Sequence, residues 1–347
     1  MTLEEFLEEW NNDSEQVMVH TSGSTGKPKP MWVEKRRMEA SARITCDFLG
    51  LKEGDTALLC MSLDYIAGKM MVVRSLVRNL KLIVVEPTGN PLANVAVSKI
   101  DFAAMVPMQV YNSLQVPQER ERLKQIKHLI IGGGAIDETM ASELKDFPNY
   151  VWSTYGMTET LSHIALRRLN GPEASEWYKP FPSVEISQND DGCLVIDAPQ
   201  VCSERLVTND IVEISEAGFR IIGRKDNVIC SGGIKIQAEE VERILKPYVQ
   251  DPFLITKRKD QKFGEIVVMM VEDRGKATGR RAELGNERKE EREERESLKT
   301  RLQSLCREHL PKYWQPRDFV FVEKLPMTET GKPARKQAEE LATQNFS

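Results

Sequence analysis

Four short apolar runs set the architecture of this chain: ALLCM at 57–61, LIVV at 82–85, FAAMV at 102–106 and LII at 129–131. Their length and their aliphatic composition are typical of buried strands. The intervening residues 65–80 and 137–145 carry apolar side chains at helical spacing. Buried strands that alternate with helices predict an α/β fold with a mainly parallel sheet, which binds ligands at the carboxyl ends of its strands.

The pattern changes from about residue 183 to 222, where apolar and polar residues alternate as in antiparallel strands. This predicts a small β subdomain. The polar residues 224–227 follow as a candidate hinge, and a helix at 238–245 then begins a small mobile α+β domain. The predicted organisation is a shortened N-terminal domain at 1–223, a hinge at 224–227 and a C-terminal lid domain at 228–347.

Composition excludes several classes of protein. The 347 residues carry a net charge of -5, which argues against general nucleic-acid binding. No apolar run approaches the ~20 residues of a membrane span, and the N-terminus lacks the pattern of a signal peptide. The six cysteines are scattered without a Cys-x-x-Cys pair, as expected for reduced thiols in the cytoplasm. The charged run at 280–296 is predicted to be a solvated helix or a mobile loop.

The segment HTSGSTGKPK at 20–29 has the composition of a phosphate-binding loop. Its glycines allow backbone N–H groups to converge, and hydroxyl groups and a lysine add further donors. The candidate residues are Thr21, Ser22, Gly23, Ser24, Thr25, Gly26 and Lys27. The spacing is not that of a Walker A motif. A flexible Ser/Gly linker is the alternative, but a predicted strand at 17–19 leads directly into the loop.

Two other segments contain groups that suit nucleotide chemistry: TYGMTET at 154–160 and PMTETGK at 326–332. Each has a purely structural interpretation when it is taken alone. Tyr155 could be a core aromatic, Glu159 a carboxylate at the start of a helix, and Lys332 a solvated turn lysine. The joint presence of these segments, in this order, favours the functional interpretation.

Together with GRKDNVICSGG at 223–233, these motifs resemble those of the acyl-adenylate-forming, AMP-binding superfamily, which includes the acyl-CoA synthetases. The resemblance covers nearly the whole chain. Within the superfamily, the short chain is most similar to the o-succinylbenzoate–CoA ligases of menaquinone biosynthesis. The resemblance therefore implies a cytoplasmic ligase that uses ATP, Mg²⁺ and coenzyme A.

The resemblance also implies roles for matching positions. Residues 21–29 would cover the β- and γ-phosphates, Thr158 would contact phosphate, and Glu159 would hold Mg²⁺. Tyr155 would stack on adenine, with Thr154 and Gly156 as further nucleotide-binding residues. The adenine and acyl pocket would be lined by Gly132, Gly133, Gly134 and Ala135. In the second half of the chain, the implied residues are Asp210 and Arg224 for ribose, Asp226 for the hinge, Gly232 and Gly233 for the pantetheine arm of CoA, and Lys332 for catalysis of adenylation.

The acyl group is harder to place from the sequence. His20, Arg74 and His163 are candidates, although structural roles are as plausible for the histidines and surface exposure is expected for Arg74. The expected partners are a small carboxylic acid, ATP and CoA, with no nucleic acid and no membrane span. A homodimer is a further possibility, because dimerisation would cover an exposed sheet edge.

Three features depart from the usual pattern of the superfamily. The phosphate loop begins at residue 21, so part of the usual large domain is expected to be missing. Asn209 and Gln237 stand where Gly and Pro are common. Three alternatives stay open: a ligase for another aryl or fatty acid, an adenylation enzyme that loads a carrier protein, and a non-catalytic nucleotide-binding member.

Overall fold

The computed structural model describes residues 1–20, 30–95, 99–134, 136, 138–273, 287–328 and 333–344. These residues form two compact units. The first comprises Met1–Asp190, Leu194–Thr208 and Glu213–Arg220. The second comprises Asp191–Cys193, Asn209–Val212 and the described residues from Ile221 onward. The chain thus enters the second unit for the last time between Arg220 and Ile221, which is three residues before the predicted boundary at 223. The hinge at 224–227 remains a prediction.

A seven-stranded sheet forms the centre of the first unit, and a two-stranded hairpin precedes it. The hairpin strands are β1 (Gln16–His20) and β2 (Pro30–Glu34). The parallel strands of the large sheet are β3 (Thr56–Leu59), β4 (Lys81–Val84), β5 (Ile100–Met105), β6 (Ile126–Ile131) and β7 (Tyr150–Gly156). The antiparallel strands are β8 (His163–Arg168) and β9 (Lys179–Pro180). The strand order is β4-β3-β5-β6-β7-β8-β9.

Six helices accompany these strands in the described part of the first unit. They are α1 (Leu3–Asn11), α2 (Lys35–Leu49), α3 (Ile66–Arg78), α4 (Pro107–Gln115), α5 (Pro117–Gln125) and α6 (Glu138–Leu144). Helix α1 begins with a capping box, in which Thr2 and Glu5 satisfy each other's backbone N–H groups. Helix α2 ends at Gly50, whose φ of 65° suits glycine.

The four apolar runs are confirmed as parallel strands. The prediction that the run at 82–85 is buried was wrong, because β4 lies at the end of the strand order and Val84 is 53% exposed. Each of the six residues of β5 is buried, which explains its continuous rather than alternating hydrophobicity. The core on which they pack includes Leu58, Met105, Leu129 and Ile131. Because these strands are parallel, the carboxyl ends of β3, β5, β6 and β7 lie at the same edge of the sheet, which is where the sequence analysis expects ligand contacts.

The predicted β subdomain is also confirmed. Its four strands lie in the order β10-β11-β12-β13. Their bounds are β10 (Glu185–Gln188), β11 (Cys193–Asp197), β12 (Leu206–Ser215) and β13 (Gly218–Arg224). Strands β10 and β11 pair in antiparallel fashion across the turn that contains Gly192, whose φ is 78°.

The second unit contains a five-stranded sheet with a packed cluster of apolar residues on each face. The strands are β14 (Val228–Ser231), β15 (Ile234–Gln237), β16 (Phe253–Asp260), β17 (Gly264–Glu272) and β18 (Asp318–Val322). Strand β18 runs parallel to β17, whereas the other pairs are antiparallel. The helices are α7 (Ala238–Leu245), α8 (Glu287–His309) and α9 (Arg335–Gln344). The α+β prediction for this region is confirmed.

Helix α8 includes the last ten residues of the charged run, while 280–286 lie outside the described residues. Three leucines recur at helical spacing after the charged run and form its apolar face: Leu302 is fully buried, and Leu298 and Leu305 pack beside it. None of the described helices combines the length and the apolar character needed to cross a membrane.

His128 in β6 is expected to make the free energy of unfolding depend on pH. Its ring is 7% exposed and stacks on Tyr150, with the ring centroids 5.0 Å apart. Burial, followed by the charges of Lys127 and Arg168, lowers the pKa of His128 to about 4. The unfolded chain, with a histidine pKa of about 6.5, therefore binds more protons than the folded chain between those two values.

The free energy of unfolding is accordingly expected to be highest above pH 6.5 and to fall by on the order of 1 kcal/mol or more as the pH drops toward 5. Urea unfolding at pH 7.5 and pH 5 measures this change. His128→Gln cannot titrate, so it should lose less stability over the same interval. An equal loss in both proteins would remove His128 as a source of the pH dependence.

Candidate active site

Gly132–Gly134 and the end of β7 meet at the carboxyl edge of the large sheet. The Gly132 N–H donates to the Met105 carbonyl at 3.1 Å, which continues the β5–β6 pairing past the end of the strand. A Cβ on Gly132 would lie 2.3 Å from Thr154 Oγ1. An added methyl group would therefore require the Thr154 side chain to move. The sheet brings the predicted nucleotide-binding residues Gly132 and Thr154 together.

A tight turn follows Gly156 and presents Glu159. Residues Thr158–Thr160 form a single 3-10 turn, and Thr160 Oγ1 accepts a hydrogen bond from the Met157 N–H at 3.0 Å. Thr158 is buried, whereas Glu159 is exposed. This turn holds the carboxylate of Glu159 toward solvent at the same edge of the sheet as Gly132.

A magnesium ion that is bound mainly by the phosphates of a nucleotide needs only one or two carboxylate ligands from the protein. The single exposed carboxylate of Glu159 fits such an ion. No group of three or more His, Cys, Asp or Glu side chains with metal-binding geometry occurs in the part of the chain that the structure describes. The donor set at Glu159 therefore suits a metal that arrives with its nucleotide.

Tyr155 is held between two aromatic side chains of the same unit. Its ring lies 5.0 Å from that of Phe219, edge to face, and 5.9 Å from that of Tyr178. The residue is only 7% exposed. The predicted stacking of Tyr155 on adenine remains a prediction; Phe219 and Tyr178 fix the orientation of the ring.

Arg74 is fully enclosed, so the expectation of surface exposure was wrong. The residue lies on α3 and is 2% exposed. Its Nη2 donates to Ser162 Oγ at 2.5 Å, while Nη1 contacts Met71 Sδ at 3.9 Å. Its Nε has no hydrogen-bond partner among the described residues. Burial lowers the pKa of the guanidinium to about 10, so it stays charged at neutral pH.

His163 lies beside Arg74 and is buried as well. Its Nε2 is 3.2 Å from Thr45 Oγ1, and its Nδ1 is 3.2 Å from Ser162 Oγ. Burial, with a further contribution from Arg74, lowers the pKa of His163 well below 6.5. The imidazole is therefore neutral at pH 7, and Arg74 is the only cation in this group of four residues.

We call Arg74, Ser162, His163 and Thr45 the buried arginine cluster. Arg74 and His163 were predicted as candidate site residues, whereas Ser162 and Thr45 were not. Ser162 could have been predicted as a candidate because it directly precedes His163. Thr45 could not, because it lies on α2 and nothing in the sequence indicates that α2 contacts this turn. Because Ser162 ends the turn that begins at Gly156, the cluster adjoins the segment that presents Glu159.

The second unit brings together the predicted ribose and hinge residues. Arg224 donates to Asp210 at 3.1 Å and to Asp226 at 3.2 Å. Asn209, which replaces the common glycine, donates to Asp226 at 3.4 Å. The predicted pantetheine passage, Gly232 and Gly233, is an exposed turn with φ values of 59° and 82°.

Several predicted residues lie outside the described part of the chain: Thr21, Ser22, Gly23, Ser24, Thr25, Gly26, Lys27, Ala135 and Lys332. Their neighbours are described. His20, which is half-buried, pairs with Pro30 at the end of the β1–β2 hairpin. Met327 and Pro333 form an antiparallel bridge on either side of the segment with Lys332.

The AMP-binding enzyme family model matches residues 4–199, which is more than half of the chain. The chain belongs to the AMP-binding enzyme family. The model for the AMP-binding enzyme C-terminal domain matches residues 247–332. This second match lies within the second compact unit and ends at Lys332.

Relatives of known name or structure extend this result. The 2-succinylbenzoate–CoA ligase of Listeria monocytogenes is 25% identical, and the match covers 97% of this chain and 72% of that protein. An acyl-CoA synthetase (AMP-forming)/AMP-acid ligase II-like protein from Dyadobacter fermentans is 34% identical, with a TM-score of 0.63 and coverage of 99% of this chain and 93% of that one. The o-succinylbenzoate coenzyme A synthetase of Bacillus subtilis, solved with ATP and magnesium, shares the fold at 22% identity, a TM-score of 0.69 and coverage of 92% and 69%.

Proposed function

We propose that this member of the AMP-binding enzyme family is an ATP-dependent acid–CoA ligase and that its acid is 2-succinylbenzoate. In the first half-reaction, a carboxylate oxygen of the acid bonds to the α-phosphorus of ATP and pyrophosphate leaves. In the second, the CoA sulfur bonds to the acyl carbon and AMP leaves. The name of the Listeria relative supports the choice of acid, and the enclosed Arg74 is the observation that carries it.

The buried arginine cluster suits an acid with a second carboxylate. The acid 2-succinylbenzoate has two carboxylates, so one stays ionised while the other is activated. A buried cation without a carboxylate partner is costly, and an incoming anion offsets that cost through charge-assisted hydrogen bonds. Arg74 has an unpaired Nε–H among the described residues, and the neutral His163 does not repel the cation.

Other residues of the chain have roles in charge neutralisation and alignment, which are the main requirements of phosphoryl chemistry. The loop at 21–27 would donate hydrogen bonds to the phosphates, and Glu159 would hold the magnesium ion. Bound magnesium supplies positive charge at the phosphate oxygens. Lys332 would place its ammonium group against the charge that develops as pyrophosphate leaves.

Replacement of Arg74 by methionine tests the choice of acid. Loss of hydrogen bonds to a charged group is expected to lower kcat/KM for 2-succinylbenzoate about 10- to 100-fold. Benzoate has no second carboxylate, so its slower reaction should change much less. Acid-dependent release of pyrophosphate, followed by detection of the CoA thioester, measures both activities.

Arg78→Met is the matched control, because Arg78 lies one turn further along α3 and pairs with Asp47 at the surface. This variant should leave kcat/KM unchanged for both acids. An equal loss of kcat/KM for both acids in Arg74→Met would contradict the proposed contact between Arg74 and the second carboxylate of 2-succinylbenzoate. Turnover of another acid in preference to 2-succinylbenzoate would preserve the ligase mechanism and refute the substrate.

A further inference from the structure

Strand β4 of the first unit has an open edge. It lies at one end of the strand order of the large sheet, and among the described residues no strand pairs with its outer side. Its residues Lys81–Val84 pair only with β3, on the inner side. An open edge is a template for pairing with another chain. What can pair there depends on the backbone groups and the side chains along the edge.

Two residues of β4 present their backbone groups to the open edge. The N–H groups of Lys81 and Val85 donate to carbonyls on the β3 side, at 2.8 and 3.0 Å. Backbone groups alternate in direction along a strand, so those of Leu82 and Val84 face outward. Val84 is 53% exposed, and Pro87 limits the length of the strand. The edge therefore offers unpaired N–H and carbonyl groups on a short apolar segment.

This pattern is self-complementary in an antiparallel pair. A two-fold axis through Ile83 places Leu82 opposite Val84 of a second copy, so outward-facing groups meet each other. Each such pair exchanges two hydrogen bonds, which gives about four bonds between the copies. Ile83 then faces the same residue of the copy as a close pair without hydrogen bonds. A register shifted by one residue would instead place outward groups opposite inward ones.

The ends of the segment carry opposite charges. In this register Lys81 lies opposite Val85 of the copy, and the next residue of that strand is Glu86. Both charged side chains are exposed. By symmetry, opposite charges approach each other at both ends of the paired strands, and such pairs favour association. A lysine on an edge strand can discourage pairing, but this one lies outside the apolar centre and beside an acidic residue.

The helices beside β4 add apolar surface. Helix α3 contacts β4 and carries Leu76, which is 43% exposed. Helix α4 is tied to the loop after β4 by a hydrogen bond of 3.1 Å from Asn112 to the Gly89 carbonyl, and it carries the exposed Met108 and Tyr111. A stable dimer buries roughly 1,000 Å² or more, which exceeds what one short strand supplies. Contacts from these helices are therefore needed as well.

We propose that this chain forms a two-fold symmetric dimer in which β4 pairs with β4 of a second copy. The two seven-stranded sheets then join into one, and the homodimer expected from the sequence gains a specific interface. Because the same surface is used by both copies, the contact closes on itself and does not propagate. Strands β3 and β5 separate β4 from β6, so the pairing itself leaves Gly132 and Glu159 uncovered.

Cysteine cross-linking of the full chain tests the register. The two Ile83 Cα atoms would lie about 4.5 Å apart, which suits a disulfide. Ile83→Cys is therefore expected to give a covalent dimer on mild oxidation. Val84→Cys is the matched control: it is more exposed, but its two Cα atoms would lie about 7 to 8 Å apart on the diagonal. Cross-linking of Val84→Cys in preference to Ile83→Cys would refute this register.

Sedimentation velocity tests the association itself, since the wild-type particle should have twice the mass of one chain. Val84→Lys places a charge at the interface on a side chain that is exposed in the monomer. Val84→Pro removes an outward N–H without loss of a bond to β3. Each change should weaken the dimer about 10-fold or more. Val207→Lys is the matched control, because Val207 is a 64% exposed valine on β12 and should leave the dissociation constant unchanged.

Charge reversal separates the proposed pairing from a general effect on folding. Lys81→Glu should weaken the dimer about 2- to 10-fold, and Lys81→Glu/Glu86→Lys should restore it. Circular dichroism establishes that each variant is folded; if Val84→Pro is not, Val84→Lys and the cross-link still decide. A wild-type protein that stays monomeric at every concentration, or a dimer that Val84→Lys leaves unchanged, would overturn the proposed interface.

Discussion

Replacement of Lys332 by alanine is expected to lower the rate of acid-dependent pyrophosphate release about 10²- to 10³-fold. This is the usual effect of the loss of one group that stabilises charge in a transition state. The negatively charged acid and the triphosphate repel each other as they react. An ammonium group near the departing oxygen offsets this repulsion without itself forming a covalent bond.

The second half-reaction distinguishes this role from a general structural one. Lys332→Ala should convert synthetic acyl-adenylate and CoA to thioester at nearly the wild-type rate. Lys336→Ala provides the control, since Lys336 is an exposed lysine on the following helix, α9. If Lys332→Ala released pyrophosphate as fast as Lys336→Ala, the assignment of the catalytic lysine would be wrong.

The parallel part of the first unit was predictable because its signal is local. The runs at 57–61 and 102–106 are apolar at every position, as required of strands that are covered on both faces. Helix α7 follows the same principle, since Val241 and Leu245 recur at helical spacing and are both fully buried. In each case a few neighbouring residues suffice to determine the element.

Long-range features could not be predicted in this way. Strand β8 is almost entirely buried, but its antiparallel pairing with β7 depends on a turn that includes a left-handed residue, Leu161, at φ 64°. The burial of Arg74 depends on contacts with Ser162, 88 residues away in the chain. Arginine is rarely buried, so a prediction from sequence favours exposure unless the partner is known.

The candidate site shows the same difference between local sequence signals and contacts between distant residues. Gly132 and Glu159 were recognisable because each lies in a short motif of neighbouring residues, GGG at 132–134 and TYGMTET at 154–160. The aromatic surroundings of Tyr155 were not, since Phe219 is 64 residues away and belongs to a different sheet. The residues with candidate chemical roles were therefore easier to single out from the sequence than the residues that pack around them.

Gly156→Ala is expected to cause the largest loss of stability among single-methyl substitutions at the candidate site. A Cβ at this position would lie 2.3 Å from the Ser162 carbonyl oxygen and 2.5 Å from His163 Cα. Both atoms belong to the backbone, so a change of side-chain rotamer cannot relieve the contact. The β7–β8 pairing, whose register shifts at this point, would have to separate. Overpacking of this kind costs about 1 to 3 kcal/mol, and the upper end of that range is expected here because both contacted atoms belong to the backbone.

The same displacement would move the turn that presents Glu159 and the serine that contacts Arg74, so activity and stability should fall together. Urea unfolding followed by circular dichroism measures the loss of stability. Gly89→Ala is the matched control, because the added methyl would meet only Asn112 Nδ2, at 2.9 Å, a side-chain atom that can move at the cost of its hydrogen bond to the Gly89 carbonyl and without any backbone shift. A Gly156→Ala protein that unfolded at the same urea concentration as Gly89→Ala would show that the backbone at 162–163 yields at little cost. The close approach of β7 and β8 would then not be what holds the Glu159 turn against the edge of the sheet.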